Sequence, residues 1–498
     1  MAANYLHGVE TVEIDDGTVA IRLVKTAVIG LIGTAPIFEC AEANRTINKP
    51  VLILNDRTAA QYFGTEREGY SIPQALNAIF DQQSNSSGSG AVIVVNVFDP
   101  ATHKTAVPEA SHTFDADGVI ALGKSGLTGV TIKSSDGATT YVVGTDYVLD
   151  PVAGTVTRTS GGAIAAAATV KIAYSYADPS KITAADIIGA VDVAGNRTGM
   201  QAFKDCFSLF GYHPKLLIAP GYSPLTAVTA ELAVLAEAMR AIAFVDAPIG
   251  TTFQQALAGR GSSGAINFQT SSPRVVLCYP HCKSYNVTTD ATELQPYSPR
   301  LAGAQAARDM DNGYWWSPSN REIQGIVGME ILLTAGVSDP DSEVNQLNEA
   351  GITTIFNAYA TGYRTWGNRS AAWPTVTNPK NFINIRRVAD VIAESIEYSM
   401  LQFLDQPINN AWIDAVTESV CSFLRTLVAR GAILDGKCWY DKALNEATEL
   451  AAGHIVFSYD FMPPPPAERI TFESRVNINY LKALNATANT VSASTASA

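Results

Sequence analysis

The chain has 498 residues, of which 47% are hydrophobic and 16% charged, and 34 Lys+Arg against 47 Asp+Glu give a formal net charge of -13. That apolar content excludes a disordered chain, and at roughly one domain per ~150 residues the length implies about three domains. The acidic balance argues against a general nucleic-acid or anionic-membrane surface.

The opening MAANYLHGVETVEIDDG has no basic region followed by an apolar core, so it does not read as a signal peptide. The most apolar run, residues 26–38, is too short and too interrupted by glycine to span a bilayer. Synthesis and folding in the cytoplasm are expected, and six scattered cysteines suit reduced thiols rather than a disulfide framework. Val12 and Ile14, then Asp15-Asp16-Gly17, then Val19 and Ile21 alternate around a turn, which predicts two short strands in an N-terminal arm over residues 1–24.

Residues 26–34, 50–54 and 91–98 are apolar, β-branched runs of buried-strand length, with a helix between the last two starting near Pro73. This α/β layer is expected to occupy residues 25–98 and 179–345, interrupted at 99–178. There glycines multiply, and runs such as 130–133, 140–143, 155–158 and 170–176 are parted by turn signals, which predicts a small all-β insert pointing outward. Helical periodicity resumes at 183–188 and 200–210, then a strand at 215–219 and a long helix over 226–243.

Two further helices, 386–404 and 409–430, stop before Pro407 and at Gly431. They are expected to cover a sheet made from residues 352–356 and 455–461, giving a C-terminal α/β domain over 346–469. Pro463 to Pro466 cannot donate to a ladder and favour extended polyproline II. Beyond them Ile470, Phe472, Val476, Ile478 and Tyr480 recur every second residue, with Ser474 the one break, between polar neighbours. That is a strand with one apolar face and nothing after it to cover its edge, a C-terminal arm over 470–484. Residues 485–498 form a Ser/Ala/Thr/Asn tail expected to be disordered, and 84–90 read as a loop. The fold class is therefore a multidomain α+β and α/β chain. Helices pack on mixed sheets, with an inserted all-β domain and terminal arms suited to strand addition between subunits.

Several motifs offer enzymatic readings. Gly118-Val-Ile-Ala-Leu-Gly123-Lys124-Ser125 has phosphate-loop spacing, which would make the chain a cytoplasmic nucleotide-binding enzyme, but it lacks a buried strand before it and a helix start after it. Gly259-Arg-Gly261-Ser-Ser-Gly264 has dinucleotide spacing in the reverse order of elements and reads as a flexible loop. Cys278-Tyr-Pro-His281-Cys282 supplies fewer ligands than a structural zinc needs. No catalytic, metal or cofactor residues are therefore assigned. Trp315, Trp316 and Trp366 read as packing aromatics. Arg386 and Arg387 read as a solvated patch, with contact to an acidic partner as the functional alternative.

Residues 316–480 also carry a resemblance. WSPSNREIQGIVG, LNEAGITTI, YRTWGNRS and FINIRRVADVIAESI, with the closing strand–proline–strand arrangement, are similar to the tail sheath proteins of contractile-tailed bacteriophages, as are HGVETVEIDDGTVAI and TAVIGLIGTAP. Thr353 and Ser370 stand where many relatives have Asn and Thr, which leaves the subgroup open. The resemblance implies a structural subunit of the virion, assembled in the host cytoplasm. It stacks as hexameric rings around a tail tube and contracts on a baseplate trigger to drive the tube through the host envelope; the sheath of a phage-derived bacteriocin or secretion machine is the alternative. The implied partners are the chain itself, the tube, baseplate and tail-terminator proteins, with neither direct nucleic-acid contact nor membrane insertion. The arms, carrying Val12, Ile14, Val19, Ile21, Ile470, Phe472, Val476 and Ile478, would enter a neighbour's C-terminal sheet at a strand containing Ile455, Phe457 and Tyr459. The C-terminal domain would face the tube, with Arg386, Arg387, Arg425 and Arg430 as candidate contacts.

Overall fold

A computed structural model of the chain describes residues 21–82, 90–262, 264–287, 289–357 and 362–482. Val12, Ile14 and Val19, most of the 84–90 segment and the tail beyond Lys482 lie outside the described residues. The chain divides into two compact units between Pro464 and Pro465.

The larger unit is built on an eight-stranded sheet. Its strands are β1 (Val28–Gly33), β2 (Val51–Ile53), β3 (Ala91–Asn96), β4 (Leu216–Ile218), β5 (Ile242–Asp246), β6 (Val275–Cys278), β7 (Ile352–Asn357) and β8 (Tyr363–Trp366). They lie in the order β8-β7-β6-β5-β4-β1-β3-β2. The six central strands are parallel and the two edges antiparallel. Parallel strands covered on both faces need apolar side chains on both. Accordingly Val28, Ile32, Ile93, Leu217, Val245 and Val275 enter one core, and Ile29, Leu31, Val94, Ile218, Phe244 and Val276 enter the other. Helix α1 (Ser71–Phe80) and helix α3 (Ser298–Asp311) cover the second face, and α2 (Thr226–Ala238) the first.

Two expectations fail here. The helix expected over 226–243 ends at Ala238, because Arg240 takes a left-handed φ of 50° and Ile242–Asp246 become β5. Residues 352–356 do not share a sheet with 455–461. Ile352–Asn357 pairs with β6 as part of the central sheet, and the C-terminal layer proper begins with the next helix, α4 (Ile383–Met400). An isolated strand of that composition does not reveal which sheet will claim it.

Between β3 and β4 stands an all-β excursion with its own core of Phe114, Ile120, Ile132, Tyr147, Val156, Val170 and Ile172. It contains two three-stranded antiparallel sheets. The expected strand at 140–143 forms only isolated bridges, whereas Lys104–Thr113, Val119–Ala121 and Tyr147–Asp150 are strands that periodicity missed. Pro108 explains the first omission: the ladder slips between Val107 and Ala110, so the alternation breaks mid-strand.

The C-terminal layer consists of α4, helix α5 (Asn410–Ala429), and a two-stranded antiparallel sheet of β9 (Asp435–Tyr440) and β10 (Phe457–Met462). Asn409 caps α5 by accepting from the Trp412 N–H at 2.9 Å. Val388, Val391, Ile392, Val420, Phe423, Leu424, Leu427 and Ile433 form the core. Strand β9 escaped the sequence reading because Asp435, Gly436 and Lys437 do not alternate in polarity.

Charges seat α4 on the central sheet. Arg274 holds both Asp390 oxygens at 2.6 and 2.9 Å and reaches Glu237 at 2.6 Å. Lys215 donates to Glu394 at 2.5 Å and to the Met239 carbonyl at 2.9 Å. Arg387 is bidentate on Asp309 of α3, and Arg240 pairs with Glu397. Arg274, Arg387, Lys215, Asp309, Asp390 and Glu394 are all buried. Burial alone would lower the Arg274 guanidinium; its bonds to Asp390 and Glu237 outweigh that and hold it above its ordinary range. Burial pulls the Lys215 ammonium below the usual lysine range, with Glu394 opposing.

The root of the N-terminal arm follows the same helix. The N–H groups of Arg22 and Val24 donate to Ser399 and Ser395 at 3.2 and 3.4 Å, so this segment runs antiparallel to α4. Ile21, Leu23 and Val24 pack on the C-terminal core before the chain enters β1.

Removing one member of a buried pair strands the other charge. Arg274→Ala should cost roughly 3 kcal/mol, read as a lowered urea midpoint, and the apolar double replacement Arg274→Met with Asp390→Leu should recover most of it. Ser395→Ala with Ser399→Ala should speed hydrogen exchange at the Arg22 and Val24 amides about fivefold, as a bond worth ~1 kcal/mol implies.

Candidate functional site: an open sheet edge and an exposed arm

The β9–β10 sheet is paired in register Lys437↔Asp460, Cys438↔Tyr459 and Trp439↔Ser458. Cys421, on α5, accepts from the Cys438 N–H at 3.3 Å and donates to the Cys438 carbonyl at 3.4 Å. Both backbone groups of Cys438 thus point away from β10, which makes Cys438 and Tyr459 a non-hydrogen-bonded pair. By alternation, the N–H and C=O groups of Phe457, Tyr459 and Phe461 point out of the opposite edge. Among the described residues they meet no hydrogen-bond partner. Phe457 and Phe461 pack against the C-terminal core, while Tyr459 and Met462 are exposed.

Ile455 falls outside the strand. Its neighbour Val456 is tied at both backbone groups to the Asn445 side chain, at 2.7 and 2.9 Å, so pairing starts only at Phe457.

In the second unit Ile470, Phe472, Val476, Ile478 and Tyr480 are 70%, 89%, 98%, 75% and 79% exposed, and residues 470–477 belong to no strand. The expected strand also ends early, because Ile478–Leu481 form a 3-10 turn that Asn477 caps through the Asn479 N–H. A row of bare apolar side chains is costly in water unless something covers it.

The arginines expected at a partner surface divide. Arg387 is buried on Asp309, and Arg386 is held by Asp390 at 2.7 Å, so both serve the inside of the subunit. The signal for this was present: Arg386, Asp390, Glu394 and Glu397 recur every three or four residues, the spacing of one helix face. Arg425 and Arg430 are exposed on or beside α5, Arg425 in an exposed pair with Glu418.

The enzyme-like motifs resolve into structure. Val119–Ala121 of the phosphate-loop match is a strand, Leu122 donates to Gly154, and another strand, Thr128–Ser134, follows where a helix would have to start. Lys124 lies over the Tyr176 ring at 4.8 Å. At the start of the dinucleotide-spaced segment, the Arg260 guanidinium donates to the carbonyls of Phe268, Thr270, Ala350, Ala371 and Trp373, tying three segments together. Cys278 and Cys282 are buried free thiols at strand ends. Among the described residues no group of three or more His, Cys, Asp or Glu could hold a metal, and no helix is long and apolar enough to cross a membrane. Trp366 stacks on Phe356 at 4.4 Å, and Trp315 meets Tyr314 edge-on at 5.2 Å.

Comparison with known proteins identifies the family. A family model described as the phage tail sheath protein central domain matches residues 180–371, and one described as the phage tail sheath C-terminal domain matches 375–477. A third, described as a protein of unknown function, matches 99–186. The tail sheath protein of Burkholderia phage BcepMu is 51% identical over 486 residues, covering 97% of this chain and 99% of that protein. The tail sheath protein of Escherichia phage P2 is 26% identical, covering 98% of this chain and 99% of its own. The contracted helical sheath of the anti-feeding prophage, solved by cryo-electron microscopy, shares the fold with a TM-score of 0.58 at 15% identity, over 95% of this chain and 100% of that one. Identity to BcepMu sheath along nearly the whole length, on a fold shared with a contractile sheath, establishes that the chain belongs to the tail sheath proteins of contractile-tailed bacteriophages.

Proposed function

We propose that this chain is the repeating, non-enzymatic subunit of a contractile sheath, polymerising as stacked hexameric rings around the tail tube. The observation that carries this reading is a mismatch inside one subunit: a sheet with unpaired backbone groups at Phe457, Tyr459 and Phe461, and an arm with unburied Ile470, Phe472, Val476 and Ile478. Each satisfies the other if the arm enters the sheet of a second copy. The N-terminal arm, with Val12, Ile14, Val19 and Ile21, plays the same part from the other terminus. Each added backbone bond is worth ~1 kcal/mol net. Several such bonds with the buried side chains of the arm hold neighbours together while their other contacts change.

In this reading the rings contract on a signal from the baseplate, and the tube is driven through the host envelope during genome delivery. Tube, baseplate and tail-terminator proteins are the partners, and assembly takes place in the host cytoplasm. The fold is shared with the anti-feeding prophage sheath, so a bacteriocin-like or injection-machine sheath is the second reading. Arg425 and Arg430, exposed beside a C-terminal domain that would face the tube, remain the candidates for tube contact.

Purified full-length protein should form tubes or ring stacks under negative stain, and a chain ending at Arg469 should stay folded and soluble without polymerising. Tubes from the shortened chain would sink arm exchange. Arg425→Glu with Arg430→Glu should leave polymerisation intact and weaken co-sedimentation with the tube protein severalfold. ATP binding that Lys124→Ala abolished would instead favour an enzyme.

A further inference from the structure

All six cysteines are free thiols in this structure, and five of them, Cys40, Cys206, Cys278, Cys282 and Cys438, are buried. Cys421, half-buried on α5, is the one that a reagent in solution reaches first. Its sulfur sits beside the backbone of Cys438 on β9, 3.3 Å from the nitrogen and 3.4 Å from the carbonyl oxygen. With ordinary bond lengths, that contact keeps the two Cα atoms within about 7 Å, the limit for bridging two cysteines without moving the backbone. The Cys438 side chain is turned the same way. It is the one buried position of β9, and it enters the C-terminal core with Leu424 and Leu427, against which Cys421 also packs.

We infer that Cys421 and Cys438 are a redox site: a small-molecule disulfide such as oxidised glutathione converts them to a reversible cross-link that staples β9 to α5. The inference concerns the chemistry of one subunit and does not depend on the function proposed above.

The steps balance. The Cys421 thiolate attacks one sulfur of oxidised glutathione, and the other half leaves as a thiolate and takes up a proton. The Cys438 thiol then gives its proton to water and its sulfur attacks Cys421, expelling the second glutathione. One S–S bond is broken and one formed, and the protein loses two hydrogens and two electrons to the glutathione. Burial pushes the Cys438 thiol up to about 11, which makes the second step the slow one. The β9–β10 ladder is untouched, because both backbone groups of Cys438 point away from β10. The two cysteines are 17 residues apart, so the bond closes a loop through the end of α5 and the turn at Gly431, and it restricts the unfolded chain more than the folded one. In a glutathione pool kept reduced the site stays open; in an oxidising medium it closes.

The test uses the full-length protein in native buffer with graded ratios of oxidised to reduced glutathione, followed by quenching with a maleimide under denaturing conditions and mass spectrometry. Oxidised protein should lose two hydrogens, label at four cysteines instead of the six in the sequence, and yield a peptide pair joined through Cys421 and Cys438. Its melting temperature should rise by several degrees and return when excess reduced glutathione is added. Cys421→Ser, a change at a half-buried position, should remove both the linkage and the rise. Six labelled thiols after oxidation, a mixed disulfide that stops at Cys421, or linkage between any other pair would overturn the assignment. A melting shift of equal size in Cys421→Ser would overturn the staple.

Discussion

Helix α4 is held to the central sheet by charge, and most of the molecule's organisation depends on that choice. Six buried acidic and basic side chains, Lys215, Arg274, Asp309, Arg387, Asp390 and Glu394, meet where an apolar seam would ordinarily be expected. Each desolvated charge costs several kcal/mol unless its partner is in place, so the interface tolerates one registration and penalises any shift. A greasy seam can slide by a helical turn with modest loss; this one cannot, because moving α4 by 5.4 Å would strand every one of these charges at once. The C-terminal layer is therefore a rigid attachment of the sheet. Through Ser395 and Ser399 the root of the N-terminal arm is fixed to the same helix.

Rigidity at that joint gives meaning to the loose ends. Both terminal segments leave from, or next to, the C-terminal layer, which is also where backbone groups stand unpaired. A subunit whose interior is specified by directional ion pairs, and whose periphery is left incomplete, stores its adaptability outside the core.

Much of this was legible in the residues, and the exceptions have physical reasons. Both buried faces of the central sheet follow from apolar, largely β-branched runs such as 91–98, and α5 follows from its apolar stripe, its Asn409 cap and Gly431. The arm was expected as a strand over 470–484, whereas residues 470–477 form no strand and Ile478–Leu481 form a 3-10 turn. What could not be read was pairing at long range. Lys215 and Glu394 are 179 residues apart and Arg274 and Asp390 116, and each alone resembles a solvated charge. Arg386 and Arg387 were assigned outward for that reason. Strand β9 was missed because its first half, Asp435-Gly436-Lys437, lacks the polar–apolar alternation that marks a strand.

The all-β excursion between β3 and β4 enters and leaves through one narrow gate. Lys104 stands opposite Ala177 in the ladder, and the Asp178 N–H closes onto the His103 carbonyl at 2.9 Å. To the central sheet, some 75 residues with a core of their own therefore look like a short loop whose two ends are already clasped. Such a module can diverge, be exchanged or be lost without altering the spacing of the strands that flank it.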